Sequence, residues 1–501
     1  MTSTLGRALP RLYLPLVLLI AAALAWEPLF GGVDFWAHAA IGRWIWQHGE
    51  VPHETLFLWG QETPLPWVYH SWLSQLVFYG VMAAVGEDDG PYLALAMLAG
   101  IVVASFWLIW KLWQSRAGIN FVAPLIFAFA IWCASARFNP RPEMFSALFL
   151  TILLVYIVRR HDNDQPQNFA SAWKEERYSV LSIAAMFALW ANFHGGVAMG
   201  LLLLGVTLVC DGLQDRDRER TKVLGVLLLL CVLAINFNPY GFEYWQALLP
   251  VKGEMFPLID EWKPMWADPA LPPLAMVFLG ILFLLALGAW LKNPARRWSH
   301  LAWLLAITFF LLDARRHLWS FSQICLIVMA ANAVAFDARQ IVVSPFTKNI
   351  ARFATVICLT IWLAGFFPNS PRATEETLPR EATEFIKQNN LRGRFFVDYL
   401  HTSYWQWRFG GEPEVFIDLL NAYDDHLLAD YFEIISATPQ GLKKLEKLDP
   451  EYIFFGPFKP DSRQAPLAKF LDKSPQWKVL YRQPDGILWH NLRDDLTFDD
   501  N

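Results

Sequence analysis

The chain has 501 residues, of which 55% are hydrophobic and only 17% are charged, and its net charge is −5. Several apolar runs approach the roughly 20 residues that a membrane-spanning helix needs, so the composition excludes an ordinary soluble globular protein. The small net charge argues against a nucleic-acid partner, since the basic residues form short clusters between apolar runs. We therefore predict an α-helical polytopic membrane protein.

The first apolar run, residues 12–30, follows two arginines and is interpreted as an uncleaved membrane anchor. Directly after it, the stretch 31–46 carries an acid and a histidine at helical spacing, which places Asp34 and His38 on one helix face. The tryptophans of this stretch favour the membrane–water boundary. We predict a helix that lies along the membrane surface and presents Asp34 and His38.

The segment 69–85 decides the topology. If it crossed the membrane, nearly every basic loop would lie on the side that the positive-inside rule disfavours. As a second interfacial helix, it leaves eleven spans with the N-terminus inside and the C-terminal region outside. Through residue 368 the inner segments then hold 18 Lys and Arg and the outer segments 7. The spans lie near residues 10–30, 91–112, 120–136, 143–159, 178–192, 196–212, 222–236, 272–291, 299–312, 318–336 and 352–368.

Four outward arginines break the positive-inside tendency and therefore need another explanation. The planar guanidinium group suits a lipid-linked phosphate, although snorkelling or pairing with Glu143 and Asp313 would also account for such residues. The four are Arg137, Arg141, Arg315 and Arg316. Because the outer turns carry these groups and the inner turns carry ordinary solvated charge, we predict that the function lies on the extracytoplasmic face.

Three further outer residues are candidate substrate contacts. His70, like His38, is interpreted as a ligand, an acid–base group or a hydrogen-bonded structural histidine. His194 lies in a tight turn that also fits a simple hairpin between two helices. Glu261 would supply a second carboxylate. A divalent cation can in principle bind Asp34, His38, His70 and His194, but their spacing does not require one, so the cofactor stays open.

The composition becomes that of a soluble chain after residue 368. Helical stretches alternate there with short apolar runs, which predicts a small α/β domain. The helical stretches lie near 378–390, 422–435 and 439–448, and the apolar runs lie near 394–398, 414–419, 452–455, 477–481 and 486–490. We therefore divide the chain into a transmembrane domain, residues 1–368 with its first outer loop at 31–90, and an extracytoplasmic domain, residues 369–501.

The outer-loop motifs resemble those of the GT-C superfamily of membrane glycosyltransferases, especially a bacterial, polytopic branch. The motifs are DFWAHAAIGRWI from Asp34, VPHE from Val51, PWVYHSWL from Pro66, WANFHGG from Trp190 and NPYG from Asn238. The sequence departs from the pattern in two ways: Phe35 follows Asp34 where some members have a second acid, and Glu54 and Ser71 replace an expected Asp and Glu.

The resemblance implies a GT-C-like fold with two juxtamembrane helices in the first outer loop. At Asp34 it implies an acid that serves as catalytic base or metal contact. Such enzymes sit in the bacterial inner membrane and move a sugar from a polyprenyl-phosphate donor to an extracytoplasmic glycan, lipid or protein acceptor. Membrane lipid and these substrates are the implied partners.

The residues themselves fit this chemistry. Asp34, oriented by His38 or His70, would deprotonate an acceptor hydroxyl, and the outward arginines would stabilise the departing lipid phosphate. Two alternatives stay open. One is a non-catalytic membrane protein of envelope assembly that keeps the fold and binds lipid or polymer, and the other is a transporter with interrupted helices near residues 192–196.

Overall fold

The fold is described from a computed structural model. The described residues are 9–26, 34–118, 121–162, 166, 168–214, 218–248, 262–265, 273–333, 350, 353–357, 359–360, 378–458 and 461–492. The chain divides into two compact units. The first comprises Met1–Pro28, Tyr92–Leu249 and Ile259–Ser370, and the second comprises Leu29–Pro91, Pro250–Leu258 and Pro371–Asn501. The second unit therefore joins the first outer loop to the C-terminal residues.

The described elements are mostly helices, with four short strands near the C-terminus. In chain order they are α1 (Tyr13–Trp26), α2 (Asp34–His48), α3 (Trp72–Ala117), α4 (Ala123–Ser135), α5 (Glu143–Arg160), α6 (Phe169–Phe193), α7 (Val197–Gln214), α8 (Arg218–Ala234), α9 (Tyr244–Leu248), α10 (Pro273–Lys292), α11 (Trp298–Asp313), α12 (Leu318–Ala331), α13 (Arg380–Gln388), β1 (Phe395–Val397), α14 (Thr402–Phe409), α15 (Asp425–Ile435), α16 (Pro439–Leu448), β2 (Tyr452–Phe455), α17 (Ala465–Leu471), β3 (Trp477–Gln483) and β4 (Gly486–Asn491).

The first unit is a helical assembly built around α12. All residues of α12 except Ser320 are buried, and the helix packs against α4, α5, α10 and α11. Among the described residues, three helices are long and apolar enough to cross a membrane: Trp72–Ala117, Val197–Gln214 and Leu274–Lys292. Shorter apolar helices are Pro10–Trp26, Ala123–Ser135 and Trp298–Asp313. The eleven-span count stays a prediction.

Helix α3 is broken at Gly86, where φ is 87° and ψ is 178°. A positive φ is easy for glycine because it has no Cβ. The break follows the segment 69–85, which the positive-inside rule predicts to be a helix separate from the next span. The helical residues 72–85 therefore form their own element within the second unit.

The second unit contains a mixed sheet in the order β1-β2-β4-β3. Strands β1 and β2 are parallel, and the other two pairs are antiparallel. The apolar run at 414–419 does not add a regular strand, because only Val415 bridges to Leu58 and Phe395. Helices α14 and α17 were not anticipated from the sequence. The core beneath the sheet contains Trp405, Phe454 and Leu488, all of which are almost fully buried.

Gly42 sets the distance between α2 and the helical segment 72–85. A Cβ built at Gly42 would lie 2.0 Å from the carbonyl oxygen of Gln75 and 2.9 Å from the Cβ of Tyr79. Backbone atoms cannot move aside by changing rotamer, and packed interiors leave little spare room. The sequence therefore needs glycine at this crossing of two helices.

We expect Gly42→Ala to destabilise the protein by about 1–3 kcal/mol, the usual cost of forcing a methyl group into a packed contact. Gly80→Ala is the matched control. Gly80 lies in the segment that Gly42 contacts, and nothing lies within 4 Å of its Cβ position. The thermal unfolding midpoints of the purified variants test this expectation, and equal midpoints for the two would contradict it.

Candidate functional site

Asp34 begins α2, where a carboxylate is stabilised by the partial positive charge of the helix N-terminus. Its negative charge raises the pKa of both Asp418 and Tyr399. Charge effects of this kind require proximity, so the second unit brings these groups together. We call Asp34, Tyr399, Gln406, Asp418 and Asn421 the Asp34 cluster.

Asp418 is the buried carboxyl of this cluster, with 2% of its surface exposed. Its Oδ1 accepts a hydrogen bond from the Leu420 amide at 3.0 Å, and its Oδ2 accepts one from Gln406 Nε2 at 3.1 Å. Burial raises the pKa of Asp418 to about 6, and the charge of Asp34 acts in the same direction. A fixed carboxyl that titrates near neutral pH is typical of functional sites.

Two phenols complete the polar surroundings. The hydroxyls of Tyr399 and Tyr423 both donate to Asn421 Oδ1, at 2.7 Å and 2.9 Å. Burial raises the pKa of Tyr399 above its ordinary value, so the phenol remains neutral and can donate at physiological pH. Gln406 Oε1 is buried and, within the described part of the chain, has no hydrogen-bond partner. Hydrogen bonds thus hold the donors and acceptors around Asp418 and Asn421 in fixed positions.

Arg43 connects α2 to the end of α14. Its guanidinium group donates to the carbonyl oxygens of Trp407, at 2.6 Å, and Gln406, at 3.3 Å, and stacks 4.6 Å from the Trp407 ring centre. Trp36 is 1% exposed and meets the Tyr404 ring edge-on at 5.1 Å. The prediction that the tryptophans of this stretch face the membrane boundary is therefore wrong for Trp36, which packs against the C-terminal residues instead.

The two predicted histidines of the first outer loop are also in the second unit. Gln75 Nε2 donates to His38 Nδ1 at 3.4 Å, and the His38 ring lies 6.1 Å from that of Phe78. His38 therefore faces the helical segment 72–85. His70 is half-buried just before this segment, and its amide donates to the carbonyl of Val68.

The first unit brings together two of the four arginines. Arg137 donates through one nitrogen to both carboxylate oxygens of Glu143, at 2.9 Å and 2.8 Å. Burial lowers the pKa of His317 to about 4, and the charges of Arg316 and Arg137 contribute. These two arginines thus lie near one histidine. Arg315 and Arg316 belong to the short 3₁₀ turn Arg315–His317.

The remaining predicted residues have local roles or lie outside the described chain. The Gly196 amide donates to His194 Nδ1 at 3.0 Å, and Ser146 Oγ lies 2.8 Å from the same nitrogen. These bonds fit the hairpin interpretation of this turn. Arg141 is half-buried, and its amide donates to the Asn139 carbonyl. Glu261 lies outside the described residues.

Metal binding is untested by this arrangement. Within the described ranges, no three His, Cys, Asp or Glu side chains are grouped as metal ligands.

The residues that sequence reasoning missed are Asp418 and Tyr399. A charged residue at the end of the apolar run Phe416-Ile417-Asp418 was the available signal for the first of them, since a carboxylate beside buried apolar residues is expensive unless it is used.

We expect Arg137→Gln to destabilise the protein by about 2 kcal/mol, because Glu143 would lose the cation that it pairs with. Partial exposure of Glu143 keeps this cost below that of a fully buried pair. The double variant R137Q/E143Q should recover much of the loss. Thermal midpoints of the two variants decide this, and a double variant less stable than the single one would contradict the pairing.

Comparison with known proteins finds likeness in structure and none in sequence. No protein-family model matches the chain, and no curated protein matches its sequence. The apo crystal structure of the Archaeoglobus fulgidus oligosaccharyltransferase aligns with a TM-score of 0.58 and 12% identity, over 89% of this chain and 69% of that one.

ArnT from Cupriavidus metallidurans is similar in two states. The structure bound to undecaprenyl phosphate aligns with a TM-score of 0.56 and 14% identity, over 96% of this chain and 98% of that one. The apo structure gives 0.55 and 12%, over 96% and 97%. The chain therefore has a GT-C-like fold, which confirms the resemblance found in its sequence motifs.

Proposed function

We propose that the chain is a glycosyltransferase that transfers a sugar from a polyprenyl-phosphate donor to an acceptor outside the cytoplasm. The observation that carries the proposal is the Asp34 cluster, in which the charge of the acid predicted from the sequence acts on a buried carboxyl, Asp418, and on a neutral phenol, Tyr399. The GT-C-like fold supports it, since one structural neighbour is an oligosaccharyltransferase and another was solved with undecaprenyl phosphate bound.

In this proposal Asp34 is the catalytic base. It takes the proton of an acceptor hydroxyl while the acceptor oxygen forms a bond to the anomeric carbon of the sugar. The bond from that carbon to the phosphate oxygen breaks, and the electron pair leaves with the lipid phosphate. Arginine side chains are suited to the charge that develops on this phosphate. We assign that role to Arg137 and Arg316, with Arg141 and Arg315 as further candidates.

The phenol and the two amides of the cluster have a second role in this proposal. Tyr399, Asn421 and Gln406 are proposed to orient the acceptor, because hydroxyl and amide groups can both donate to and accept from a sugar or alcohol hydroxyl. His38 is proposed to orient Asp34, and His70 and His194 remain candidate substrate contacts. A divalent cation at Asp34 stays open.

The proposed topology follows from the basic residues of the loops. It has eleven spans, with the C-terminal domain, residues 369–501, outside the cytoplasm of a bacterial inner membrane. Helix α2 and the segment 72–85 are proposed to be the two juxtamembrane helices of the first outer loop. A reporter fused after Pro371 that proved cytoplasmic would overturn this topology.

The test of function uses the purified full-length protein in lipid vesicles. The protein is given a panel of radiolabelled polyprenyl-phosphate sugars and a crude envelope acceptor. Transfer of label to the acceptor supports the proposal. Lipid binding without transfer would instead favour a non-catalytic protein of envelope assembly, and solute flux without transfer would favour a transporter.

A further inference from the structure

The second unit contains a cleft, lined by charged, amide and aromatic side chains, that the proposed function does not use. The cleft has a volume of about 640 Å³, which is within the range of small-molecule sites. Helix α14 separates it from the Asp34 cluster. Tyr404 and Arg408, four residues apart on one face of α14, line the cleft, whereas Gln406, on another face, bonds to Asp418.

Ion pairs connect the charged side chains of the cleft, and the Arg408–Glu87 pair is the most buried of them. Arg408 donates to Glu87 and to Glu384, each at 2.9 Å, and the Tyr404 hydroxyl donates to the other oxygen of Glu87 at 2.8 Å. Arg380 donates to Asp88 at 2.6 Å. Side chains fixed in this way bind a ligand with little loss of rotamer freedom. The cleft is therefore pre-organised.

The cleft still has hydrogen-bonding capacity for a ligand. Gln388 and Gln483 add two amides on the rim. Amide, guanidinium and carboxylate groups together offer both donors and acceptors, which is what a row of hydroxyl groups requires.

Aromatic rings form the apolar part of the lining. Phe385 and Tyr481 contact one another with ring centres 5.1 Å apart, and both face the cleft. Aromatic rings stack well on the flat C–H face of a sugar ring, so polar groups beside an aromatic wall suit a saccharide.

The charges of the lining indicate which saccharides fit. Four carboxylates and two guanidinium groups line the cleft, and the carboxylates belong to Glu87, Asp88, Glu381 and Glu384. An excess of negative charge repels anions and attracts cations. A phosphate or an acidic sugar is therefore disfavoured, and a neutral or amino-substituted sugar is favoured.

We propose that this cleft binds a saccharide of neutral or amino-substituted hexose units, at a site distinct from the Asp34 cluster. The phenylalanine and tyrosine rings stack on the sugar, and the two glutamines and the carboxylates bond to its hydroxyl or amino groups. Binding at this site does not depend on whether the protein transfers sugar.

The experiment uses the full-length protein in lipid nanodiscs and three probes of equal length: maltotriose, a trimer of glucosamine and a trimer of galacturonic acid. Saturation-transfer NMR and titration calorimetry measure binding. We expect the neutral and amino trimers to bind and the acidic trimer to bind at least tenfold more weakly. The proposal is overturned if neither maltotriose nor the glucosamine trimer binds, or if the acidic trimer binds more strongly than they do.

A rim variant locates the site. Gln388→Ala/Gln483→Ala removes two exposed amides, one of which, Gln388 Nε2, also donates to Glu384 at 3.3 Å, and leaves the bonds of Arg408 to Glu87 and Glu384 in place. It should weaken binding of the glucosamine trimer at least tenfold. Gln47→Ala, an exposed glutamine of the same unit outside the cleft, should bind as the wild type does. Unchanged binding in the rim variant would place the saccharide elsewhere and overturn the proposal. The transfer assay reports on the proposed function separately.

Discussion

Asp34→Asn is expected to lower sugar transfer by about 10²–10⁴-fold, the usual contribution of a positioned general base. An amide has the same shape as the carboxylate but cannot take a proton from the acceptor hydroxyl. Helix α2 should tolerate the change, since asparagine is also a favourable residue at the start of a helix. The result separates chemistry from binding, because polyprenyl-phosphate binding should persist in the variant.

The measurement compares initial rates of label transfer with binding of the radiolabelled lipid, for wild type, Asp34→Asn and Glu62→Gln. Glu62 is an exposed acid of the same loop, so its variant has the same change in charge and should keep its transfer rate. Transfer that survives in Asp34→Asn at the wild-type rate would remove Asp34 from the mechanism. Loss of lipid binding as well as transfer would indicate a structural role.

The helices of the first unit were accessible from the sequence because a chain in lipid must satisfy its backbone hydrogen bonds within each segment. Long apolar runs therefore have few conformations available. The motif that begins at Asp34 supplied the GT-C resemblance, which the structural comparison confirms. What these signals lack is any information about which loops meet in space.

Helix α14 shows why local propensity fails in the second unit. Its sequence, Thr402–Phe409, contains threonine, tyrosine and tryptophan, residues that favour strands. Tertiary contacts override this strand propensity. Trp405 packs in the core beneath the sheet, and Tyr404 packs on Trp36 of α2. The helix ends at Gly410, whose φ of 72° gives the left-handed turn common at helix ends.

The Asp34 cluster could not be found by spacing. Arg43, nine residues after Asp34, bonds to Gln406 across 363 positions of sequence, and neither helical nor strand periodicity reports on contacts of that range. Asp418 was read as part of an apolar run and not as a site residue. Its significance comes from Gln406, the Leu420 amide and Asp34, which only the folded chain places around it.

Asp418→Asn is expected to stabilise the protein at pH 7.5. In the folded protein the pKa of Asp418 is about 6, against an ordinary value of 3.8, mainly because the carboxyl is buried. The folded state therefore binds the proton more tightly than the unfolded state. The contribution of Asp418 to the free energy of unfolding is fully present below about pH 4 and is lost as the pH rises through 6. Above that, the buried charge costs on the order of 3 kcal/mol.

The asparagine can keep the hydrogen bonds with the Leu420 amide and Gln406, and the Asn421 amide is a third donor to the carboxyl that it replaces. Its Oδ1 can accept from the Leu420 amide as the carboxylate does. Its amide nitrogen would face Gln406, whose side chain can turn over so that Oε1, which lacks a partner among the described residues, accepts this new hydrogen bond. A neutral side chain thus replaces a charge in the same hydrogen-bond geometry.

Thermal midpoints of wild type, Asp418→Asn and the exposed-site control Asp461→Asn, measured from pH 4 to pH 8, test this argument. The difference between Asp418→Asn and wild type should be small at pH 4 and should grow between pH 5 and pH 7 in favour of the variant. Asp461→Asn should have the same thermal midpoint as the wild type at every pH, because an exposed carboxylate remains solvated and has little desolvation cost. If Asp418→Asn instead loses stability most at high pH, the carboxylate form is the one that the site stabilises, and a cation or donor beyond Gln406 and the Leu420 and Asn421 amides must balance its charge.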